Sequence, residues 1–380
     1  MDFQLSQEQK TLKNRARRIA EEELADDAFT YEGKYPMDKA SVLADAGLLG
    51  ISLPDEYGGS SMTPLEVLMV QEEIGRVCPD TAHLISHTSM GAPRAIDHLG
   101  SEKLKEKYLP GICNGDYVVA VAISEAEAGS AANDMQTRAE DDNNTIVING
   151  EKKWVGRPEA SEAFLVYTRF EEGIGGIIVD KNTSGLEIAE TYTNMYGGHQ
   201  SRIVFNDCRV DEGQVLVRGE DAFKDLLKSF NIERCHNAMM SVSLARNAFE
   251  KSLEYAQQRE QFGQPIGNFQ AISHKLANMA MKIEAARLLV FQATTSAISN
   301  GNDGVPSRLQ TSIAKVFANE IGEEVASDAV QIHGAKGYMK GHPVEYIYRK
   351  IRGRKIAGGT VEIHRNGIAD VLYKYGYDPY

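Results

Sequence analysis

The chain has few of the residues that mark secreted or metal-binding small proteins. Its four cysteines, Cys78, Cys113, Cys208 and Cys235, are far apart and form no C-x-x-C pair. This spacing argues against a disulfide framework and against a zinc knuckle, and it makes a reducing cytoplasm the expected location. The chain contains a single tryptophan. No run approaches the roughly 20 apolar residues that a membrane-spanning helix requires.

The chain also has no excess of basic residues. Its 54 aspartates and glutamates outnumber its 41 lysines and arginines, and the net charge is −13 at pH 7. Proteins that bind nucleic acid or anionic membranes need a basic surface, so the sequence predicts neither partner. His83 and His87 are spaced to share a helix face, but no acidic residue or cysteine stands at ligand spacing from them. We therefore predict no metal site and expect both histidines to be hydrogen-bonded or to line a pocket.

Hydrophobic periodicity divides the 380 residues into three segments. Apolar residues recur at helical spacing in the first segment, as in LMVQEEIGRV, and predict an N-terminal helical domain over 1–116. Over 117–220 short runs rich in Val, Ile and Phe, such as TIVING and FLVYTRF, predict a β domain. Helical stripes return over 221–380, and the clearest consists of Ile272, Leu276, Met279, Ile283, Ala286 and Val290. The predicted fold class is mostly α with a middle β domain.

Common catalytic and cofactor motifs are missing. The chain has no G-x-G-x-x-G after a strand, no G-x-x-x-x-G-K-[ST], no H-E-x-x-H and no G-x-S-x-G. Rossmann cofactor sites, P-loops, zinc peptidases and serine hydrolases are therefore excluded as the source of an activity. Any cofactor must be held in another way.

Several segments resemble the acyl-CoA dehydrogenase family and follow its order along the chain. They are GLLGISLPDEYGG (47–59), AISEAEAGSAANDMQTRAE (122–140), NGEKKWVG (149–156), QQREQFGQPIGNFQAISHKLANMAMKIEAAR (257–287), DAVQIHGAKGY (328–338) and GGTVEIHR (358–365). The resemblance implies an N-terminal helical domain, a middle β-barrel or sandwich domain and a C-terminal four-helix bundle. It also implies bound FAD, an acyl-CoA substrate, electron-transfer flavoprotein as a partner, and a homotetramer or dimer.

The resemblance also implies which residues contact FAD. They are Ile123, Ser124, Ser130, Trp154, Arg259, Phe262, Gln331, Gly334, Thr360 and Glu362. These residue types suit the cofactor, because hydroxyl and backbone N–H groups bind a flavin edge or phosphate, and a guanidinium binds a diphosphate. The family's threonine near the flavin N5 atom is absent, since Gly156 stands at that position.

The family's usual Y-E-G-T glutamate is missing here, because Ala-Gly-Gly-Thr stands at 357–360, so the catalytic base must lie elsewhere in the chain. Members of the isovaleryl-CoA dehydrogenase and crotonobetainyl-CoA reductase type instead carry the glutamate before an arginine on an earlier helix, with a small residue later. The resemblance therefore assigns the base to Glu233, which precedes Arg234. The implied substrate-binding residues are Ser130, Arg234, Gly358 and Gly359.

The predicted activity is α,β-desaturation of an acyl-CoA, with the α-proton passing to the base and the β-hydride to flavin. Alternatives on the same fold are enoyl-CoA reduction, desulfination, a monooxygenase reaction and a scaffold that keeps FAD without turnover. The substituted GGT motif, Gly156 and the unusual segment RPEASEAF (157–164) keep desulfination and a monooxygenase reaction open. Enoyl-CoA reduction stays open because the reductase type shares the pattern at Glu233, while the presence of Glu233 argues against a scaffold without turnover. His83, His87 and Arg94 would favour a polar or acidic acyl end if they face the acyl group.

Overall fold

The computed structural model describes residues 5–299 and 305–376, with the side chains of 298 and 299 left aside. It divides into two compact units. The first, which we call the helical unit, comprises Met1–Thr30, Pro64–Ala82 and Asn231–Tyr380. The second, the mixed unit, comprises Tyr31–Thr63 and His83–Phe230. The predicted boundaries at 116 and 220 do not coincide with this division and stay a prediction.

Helices dominate the chain on both sides of a block of strands. The α-helices are α1 (Gln7–Glu23), α2 (Ala40–Asp45), α3 (Pro64–Gly75), α4 (Ala82–Ser89), α5 (Ala92–Leu99), α6 (Glu102–Asn114), α7 (Ala222–Gln258), α8 (Gln270–Ser299), α9 (Arg308–His333), α10 (Ala335–Tyr338), α11 (Pro343–Arg352) and α12 (Val361–Tyr375). Short 3-10 helices cover Met37–Lys39, Asp55–Tyr57, Ala132–Asp134, Glu212–Gln214, Ile266–Asn268 and Gly353–Lys355. The predicted helical, β, helical order is confirmed.

The strands form one large sheet and one small hairpin. They are β1 (Val118–Ala122), β2 (Arg138–Asp142), β3 (Thr145–Gly156), β4 (Ser161–Phe170), β5 (Gly173–Asp180), β6 (Leu186–Thr193), β7 (His199–Asp211), β8 (Val215–Val217), β9 (Glu260–Gln261) and β10 (Gln264–Pro265). The large sheet runs in the order β6-β7-β3-β2-β4-β5-β8, and β1 pairs with β4 in parallel. β9 and β10 form the antiparallel hairpin.

In the helical unit, the core lies between long helices. α9 packs against α8, α11 and α12, while α3 packs against α1 and α8. The stripe predicted on α8 is buried from Leu276 to Val290, and Ile272 is half-buried at its start. This arrangement follows from the period of the helix, since residues three and four apart share a face.

In the mixed unit, strand β4 has a hydrophobic core on each of its two faces. Phe164 and Val166 point into a core shared with β3, β5 and β7. Leu165 and Tyr167 point into the other core, which includes side chains of α5 and α6. Successive side chains on a strand alternate between faces, so a strand buried on both faces is apolar at nearly every position, as FLVYTRF is.

Two other observations bear on the sequence predictions. All four cysteines are buried free thiols. In the described ranges, no helix combines the length and the apolar character that crossing a bilayer would require.

Candidate active site

The predicted base, Glu233, lies on α7, and 21% of its side chain is exposed. Its Oε1 is 3.9 Å from Nε2 of the buried His236, too far for a hydrogen bond but close enough for an ion pair when the ring is protonated. On the other side of the ring, Nδ1 lies 2.7 Å from Oε1 of Gln71. Gln71 Nε2 donates to the main-chain oxygen of His236 at 3.1 Å, so its Oε1 is the atom that accepts from Nδ1–H. Gln71 thus fixes the ring with Nε2 facing Glu233.

The segment 357–360, which we call the GGT turn, connects to the start of α12 through two glycines with left-handed backbone angles. The φ angle is +69° at Gly358 and +88° at Gly359, values that residues with a side chain rarely adopt. At Gly359 an added Cβ would also lie 3.0 Å from Nε2 of His364. Backbone conformation therefore explains glycine at both positions, and close packing adds a second reason at Gly359.

Buried side chains bind the carbonyl groups of both glycines. Lys315, on α9, donates from Nζ to the carbonyl oxygen of Gly359 at 2.6 Å, and Nε2 of His364 lies 3.1 Å from that of Gly358. In a planar trans peptide, the N–H group points opposite to the carbonyl group of the preceding residue. The N–H groups of Gly359 and Thr360 therefore point away from these side chains.

Burial changes the protonation of both supporting side chains. Burial, together with the charges of Arg234 and Arg354, lowers the pKa of Lys315 to about 7. Burial and the charge of Lys315 lower the pKa of His364 to about 4, so this ring is neutral near neutral pH. Because Nε2 must donate to the GGT turn, Nδ1 accepts from Oγ of Ser312, 3.2 Å away. His364 is therefore held in one tautomer.

A pair of buried asparagines joins α7 to the GGT turn. Asn237 lies one helical turn after Glu233, on the same face of α7, and its Nδ2 donates to the carbonyl oxygen of Ala357 at 3.3 Å. Asn319, on α9, donates to Oδ1 of Asn237 at 3.0 Å and to the main-chain oxygen of Arg354 at 2.8 Å. Asn237 therefore connects the face of α7 that carries the predicted base to the GGT turn by a hydrogen bond.

Arg234 belongs to the same cluster. It donates from Nη1 to Oδ1 of Asn231, one turn earlier on α7. Its charge also contributes to the lowered pKa values of Lys315 and His364. Its assignment to substrate binding stays a prediction.

Thr360 and Glu362 have structural roles at the start of α12. The hydroxyl group of Thr360 accepts from the backbone N–H of Ile363 at 3.3 Å and so caps the helix. Glu362 is exposed, and its carboxylate accepts hydrogen bonds from its own backbone N–H and from the hydroxyl group of Thr360. These hydrogen bonds lower the pKa of Glu362. A carboxylate in the first turn also interacts favourably with the helix dipole. These roles are compatible with the predicted flavin contacts and do not test them.

In the mixed unit, a buried ion pair positions the predicted flavin residues Ile123 and Ser124, which follow β1. Nζ of Lys152, on β3, lies 2.7 Å from Oε1 of Glu125 and donates to the main-chain oxygen of Ile123 at 3.0 Å. Glu125 also accepts from the backbone N–H and the hydroxyl of Thr137, at 3.0 and 2.6 Å. Burial alone would raise the pKa of Glu125, but these hydrogen bonds outweigh it and lower the pKa.

Trp154, near the end of β3, offers a flat apolar surface. It has a φ angle of +64° and is 49% exposed. Its ring lies 5.2 Å from that of Tyr192, and Nζ of Lys153 is 5.0 Å from the ring centroid. Gly156 has open space where a side chain would project, and Ser130 is exposed on the loop after β1. An exposed indole beside a glycine and an exposed hydroxyl fits a flavin ring and a phosphate.

The hairpin of β9 and β10 in the helical unit carries an unusually exposed aromatic ring. Phe262 is 93% exposed, with a φ angle of +53°, and meets Phe269 edge-on at 6.1 Å between ring centroids. Arg259, just after α7, is also exposed, and it makes no ion pair with any residue that the structure describes. An accessible phenyl ring and guanidinium fit an adenine and a diphosphate.

The end of α9 supplies accessible backbone. Gly334 has a φ angle of +61°, and its N–H donates to the carbonyl oxygen of Gln331 at 3.2 Å. No atom lies within 4 Å of an added Cβ at Gly334. Within the described ranges, Gln331, Gly334, Arg259 and Phe262 make no hydrogen bond to the GGT turn.

Sequence reasoning missed the residues that hold these groups in place. All of them are buried: Lys315 and His364 bind the predicted glycines, and Lys152 binds the main chain of Ile123. Asn237 binds the neighbouring Ala357, and Glu125 pairs with Lys152. One signal was available, because Lys315 interrupts the apolar run SIAKVFA, and a lysine among apolar helix positions is rarely left without a specific partner.

Family models match the chain along most of its length. The acyl-CoA dehydrogenase N-terminal domain matches residues 6–116, the middle domain 120–208 and the C-terminal domain 222–373. The three matches follow the predicted order of helical, β and helical segments.

Relatives extend the match to almost the whole chain. The chain is 36% identical over 382 residues to 3-sulfinopropanoyl-CoA desulfinase of Paraburkholderia xenovorans strain LB400, with 97% of each chain covered. It is 33% identical over 378 residues to an acyl-CoA dehydrogenase of Bacillus subtilis strain 168, covering 97% of this chain and 98% of the relative. The structure of butyryl-CoA dehydrogenase from Megasphaera elsdenii matches with a TM-score of 0.91 at 28% identity, covering 98% and 100% of the two chains.

These matches confirm the predicted fold, the FAD cofactor and the enzyme class. This chain belongs to the acyl-CoA dehydrogenase family of FAD-dependent oxidoreductases.

Proposed function

We propose that the chain catalyses α,β-desaturation of an acyl-CoA thioester, with Glu233 as the base that removes the α-proton. One observation carries the proposal: the face of α7 that bears Glu233 is tied through Asn237 to the GGT turn, where two N–H groups point away from the side chains that bind the turn. FAD supplies the acceptor for the β-hydrogen, which leaves as a hydride with two electrons. The product is an enoyl-CoA with a new double bond between Cα and Cβ.

The GGT turn would stabilise the charge that proton removal creates. When the α-proton leaves, negative charge develops on the thioester oxygen, and N–H donors fixed in advance stabilise that charge without reorganising. Lys315 and His364 keep the peptide groups in this orientation by binding their carbonyl ends. Because proton transfer is reversible, the same residues also serve reduction of an enoyl-CoA, with Glu233 returning the proton to Cα.

The proposal includes a partner, an assembly and a location. Electron-transfer flavoprotein is the proposed electron acceptor, following the family resemblance. A homo-oligomer, tetramer or dimer, is supported by Phe262, because an apolar ring that is 93% exposed favours cover by another surface. A cytoplasmic location is supported by four thiols that stay unpaired.

Anaerobic mixing tests the proposal directly. FAD-loaded protein is mixed with a panel of acyl-CoAs and, after chemical reduction, with the matching enoyl-CoAs, while flavin absorbance is followed. Glu233→Gln should slow bleaching by about 10²–10⁴-fold, the usual contribution of a general base. The matched control is Glu254→Gln, an exposed glutamate on the same helix that should bleach like the wild type. Equal bleaching in Glu233→Gln would reject the base assignment, and no bleaching with any thioester would reject the activity.

Desulfination is a second candidate, because the 36% identical relative is named 3-sulfinopropanoyl-CoA desulfinase. In that reaction the carbon–sulfur bond breaks, and water supplies the atoms that convert the sulfinate group into sulfite and place hydrogen on carbon. No electrons pass to the flavin in the net reaction. Desulfination would therefore be favoured over desaturation if a sulfinate-bearing acyl-CoA is consumed, sulfite is released and the flavin absorbance shows no lasting bleaching.

A further inference from the structure

Three polar side chains from distant segments form a chain of hydrogen bonds in the mixed unit. Nη1 of Arg157 lies 2.9 Å from Nε2 of His87, and Nδ1 of His87 lies 2.9 Å from the hydroxyl oxygen of Tyr35. The rings are stacked as well: Tyr35 lies 5.7 Å from His87 with an interplanar angle of 24°, and His83 lies 5.1 Å from His87 at 13°. The arrangement fixes both the position and the orientation of His87.

The protons in this cluster can be assigned from chemistry alone. A guanidinium group only donates, so Nε2 of His87 must accept from Arg157. His87 is then neutral with its proton on Nδ1, which donates to the oxygen of Tyr35. The hydroxyl hydrogen of Tyr35 is consequently directed to some other acceptor, and no residue that the structure describes supplies one. Burial raises the pKa of Tyr35, so it stays protonated and remains a donor.

Arg157 brings a positive charge that no carboxylate of the described residues pairs with. Within the described ranges it forms no ion pair, and its Nε is buried without a hydrogen-bond partner there. The acidic neighbour Glu159 is exposed and lies 3.9 Å from Nδ1 of His199 instead. A half-buried guanidinium without a carboxylate is costly, and a bound anion would offset that cost.

The backbone holds Arg157 in an unfavourable conformation. Its φ angle is +57°, in the left-handed region, which residues with a side chain rarely adopt. The position is maintained by hydrogen bonds, since its carbonyl oxygen accepts from Oγ of Ser161 at 2.8 Å and from the N–H of Ala160 at 3.2 Å. Strained positions that the surroundings maintain are concentrated at ligand-binding sites.

Arg157 is close in sequence to two residues of the proposed flavin surface, and all three belong to the mixed unit. Arg157 directly follows β3, three residues after Trp154 and one after Gly156. We propose that Tyr35, His87 and Arg157 bind the negatively charged end of the acyl group, so that the enzyme selects thioesters ending in a carboxylate or sulfinate over alkyl thioesters. This inference rests on the proposed function, because it concerns which acyl-CoA substrate that activity uses.

Each member has a distinct role in the proposed recognition. The guanidinium fork of Arg157 pairs with two oxygens of the anion. The hydroxyl group of Tyr35 donates a further hydrogen bond. His87 is a positioning residue that holds both donors and remains neutral while Arg157 donates to it.

Binding measurements on a catalytically silenced enzyme test the inference. In the Glu233→Gln background, dissociation constants are measured from flavin absorbance for glutaryl-CoA and for pentanoyl-CoA, which has the same carbon number and no charge at its end. Glutaryl-CoA should bind more tightly. Arg157→Met should weaken glutaryl-CoA by about 10²-fold, as expected when a partner of a desolvated charge pair is truncated, and should leave pentanoyl-CoA within about threefold.

Milder variants separate recognition from structural damage. Arg157→Lys keeps the charge and loses the fork, so it should weaken glutaryl-CoA by about tenfold and leave the alkyl thioester unchanged. Tyr35→Phe should weaken only the anionic ligand, by about 5- to 10-fold, in line with one lost hydrogen bond. FAD content and thermal midpoint are measured for every variant. A loss of affinity that is equal for both thioesters would overturn the inference.

The outcomes also separate this inference from the proposed function. If pentanoyl-CoA binds and bleaches the wild-type flavin as well as glutaryl-CoA does, the anion site is wrong and the dehydrogenase activity stands. If neither thioester binds, both are wrong. A third ligand, 3-sulfinopropanoyl-CoA, compared with succinyl-CoA decides which anion the site prefers, and in either case Arg157→Met must weaken the preferred one.

Discussion

Nζ of Lys315 lies 2.6 Å from the carbonyl oxygen of Gly359, so a buried lysine with a pKa of about 7 holds the peptide group that we propose binds the thioester. The contact joins α9 to the GGT turn across 44 residues of sequence. It makes the orientation of the N–H donors depend on a residue that never needs to touch the substrate.

Replacing this lysine should reduce catalysis more than binding. Lys315→Met keeps a similar side-chain volume but removes the donor to the carbonyl oxygen of Gly359. The N–H group of Thr360, which belongs to the same peptide group, is then no longer held in one orientation. We expect the rate of flavin reduction to fall by about 10–10²-fold, somewhat less than the 10²–10³-fold cost of deleting an oxyanion donor outright. The KM should change by less than about threefold. Single-turnover kinetics over a range of thioester concentrations separates the two quantities.

A spectroscopic measurement distinguishes this role from simple destabilisation. With a ¹³C-labelled thioester bound to oxidised enzyme, infrared difference spectra report how strongly the carbonyl is polarised. The band should move towards the frequency of the free thioester in Lys315→Met, while Lys228→Met, an exposed lysine on α7, should leave it unchanged. An unshifted band in Lys315→Met would show that the lysine supports only the fold.

The same lysine should make stability depend on pH in a definite direction. Its folded-state pKa of about 7 is below the ordinary value of 10.5, so between these values the unfolded chain binds a proton that the folded chain lacks. The stability contributed by this group therefore rises as pH increases through that window and stays flat below it. The difference in thermal midpoint between wild type and Lys315→Met should grow in favour of the wild type from pH 7 to 9.5. Parallel pH curves would contradict the lowered pKa.

The contrast between Lys315 and the α8 stripe shows what sequence can and cannot predict here. The stripe from Leu276 to Val290 is a local repeat, so its burial follows from the helical period alone. The partner of Lys315 is set by how α9 packs against the turn before α12, and no local pattern encodes that. Sequence therefore predicted the glycines that receive the contact and missed the lysine that makes it.

Two polar strands carry no clear sequence signal for a similar reason. β2, with the sequence RAEDD, and β6, LEIAETYT, are largely exposed and carry little apolar alternation. Their pairing depends on backbone hydrogen bonds to β3 and β7, which are apolar enough to be predicted. Sequence periodicity therefore locates the β segment without marking every strand in it.

The two glycines of the GGT turn should differ in their tolerance of alanine. Both have left-handed φ angles, so alanine at either position costs about 1–2 kcal/mol. At Gly358 the nearest atom to an added Cβ is 3.7 Å away, whereas at Gly359 it is Nε2 of His364 at 3.0 Å. Gly359→Ala should therefore show the lower thermal midpoint and the larger loss of flavin reduction. Equal effects would mean that the His364 contact does not constrain the turn.

Removing one partner of the ion pair between Lys152 and Glu125 should damage the loop that carries the predicted flavin residues Ile123 and Ser124. Lys152→Met leaves the Glu125 carboxylate buried without its cation, which typically costs about 3–5 kcal/mol. We expect a lower thermal midpoint and partial loss of FAD on gel filtration, because Nζ of Lys152 also binds the main chain at Ile123. Lys181→Met, at a half-buried lysine directly after β5, controls for loss of a positive charge.

The double variant Glu125→Gln with Lys152→Met decides whether charge or geometry is responsible. If the uncompensated carboxylate is the main cost, removing it should restore part of the thermal midpoint, since a neutral buried pair avoids the desolvation penalty. FAD retention should recover less, because Met cannot replace the hydrogen bond to the carbonyl oxygen of Ile123. Full recovery of FAD binding in the double variant would mean that the loop needs only a neutral core and that the Lys152 contact does not position the flavin residues.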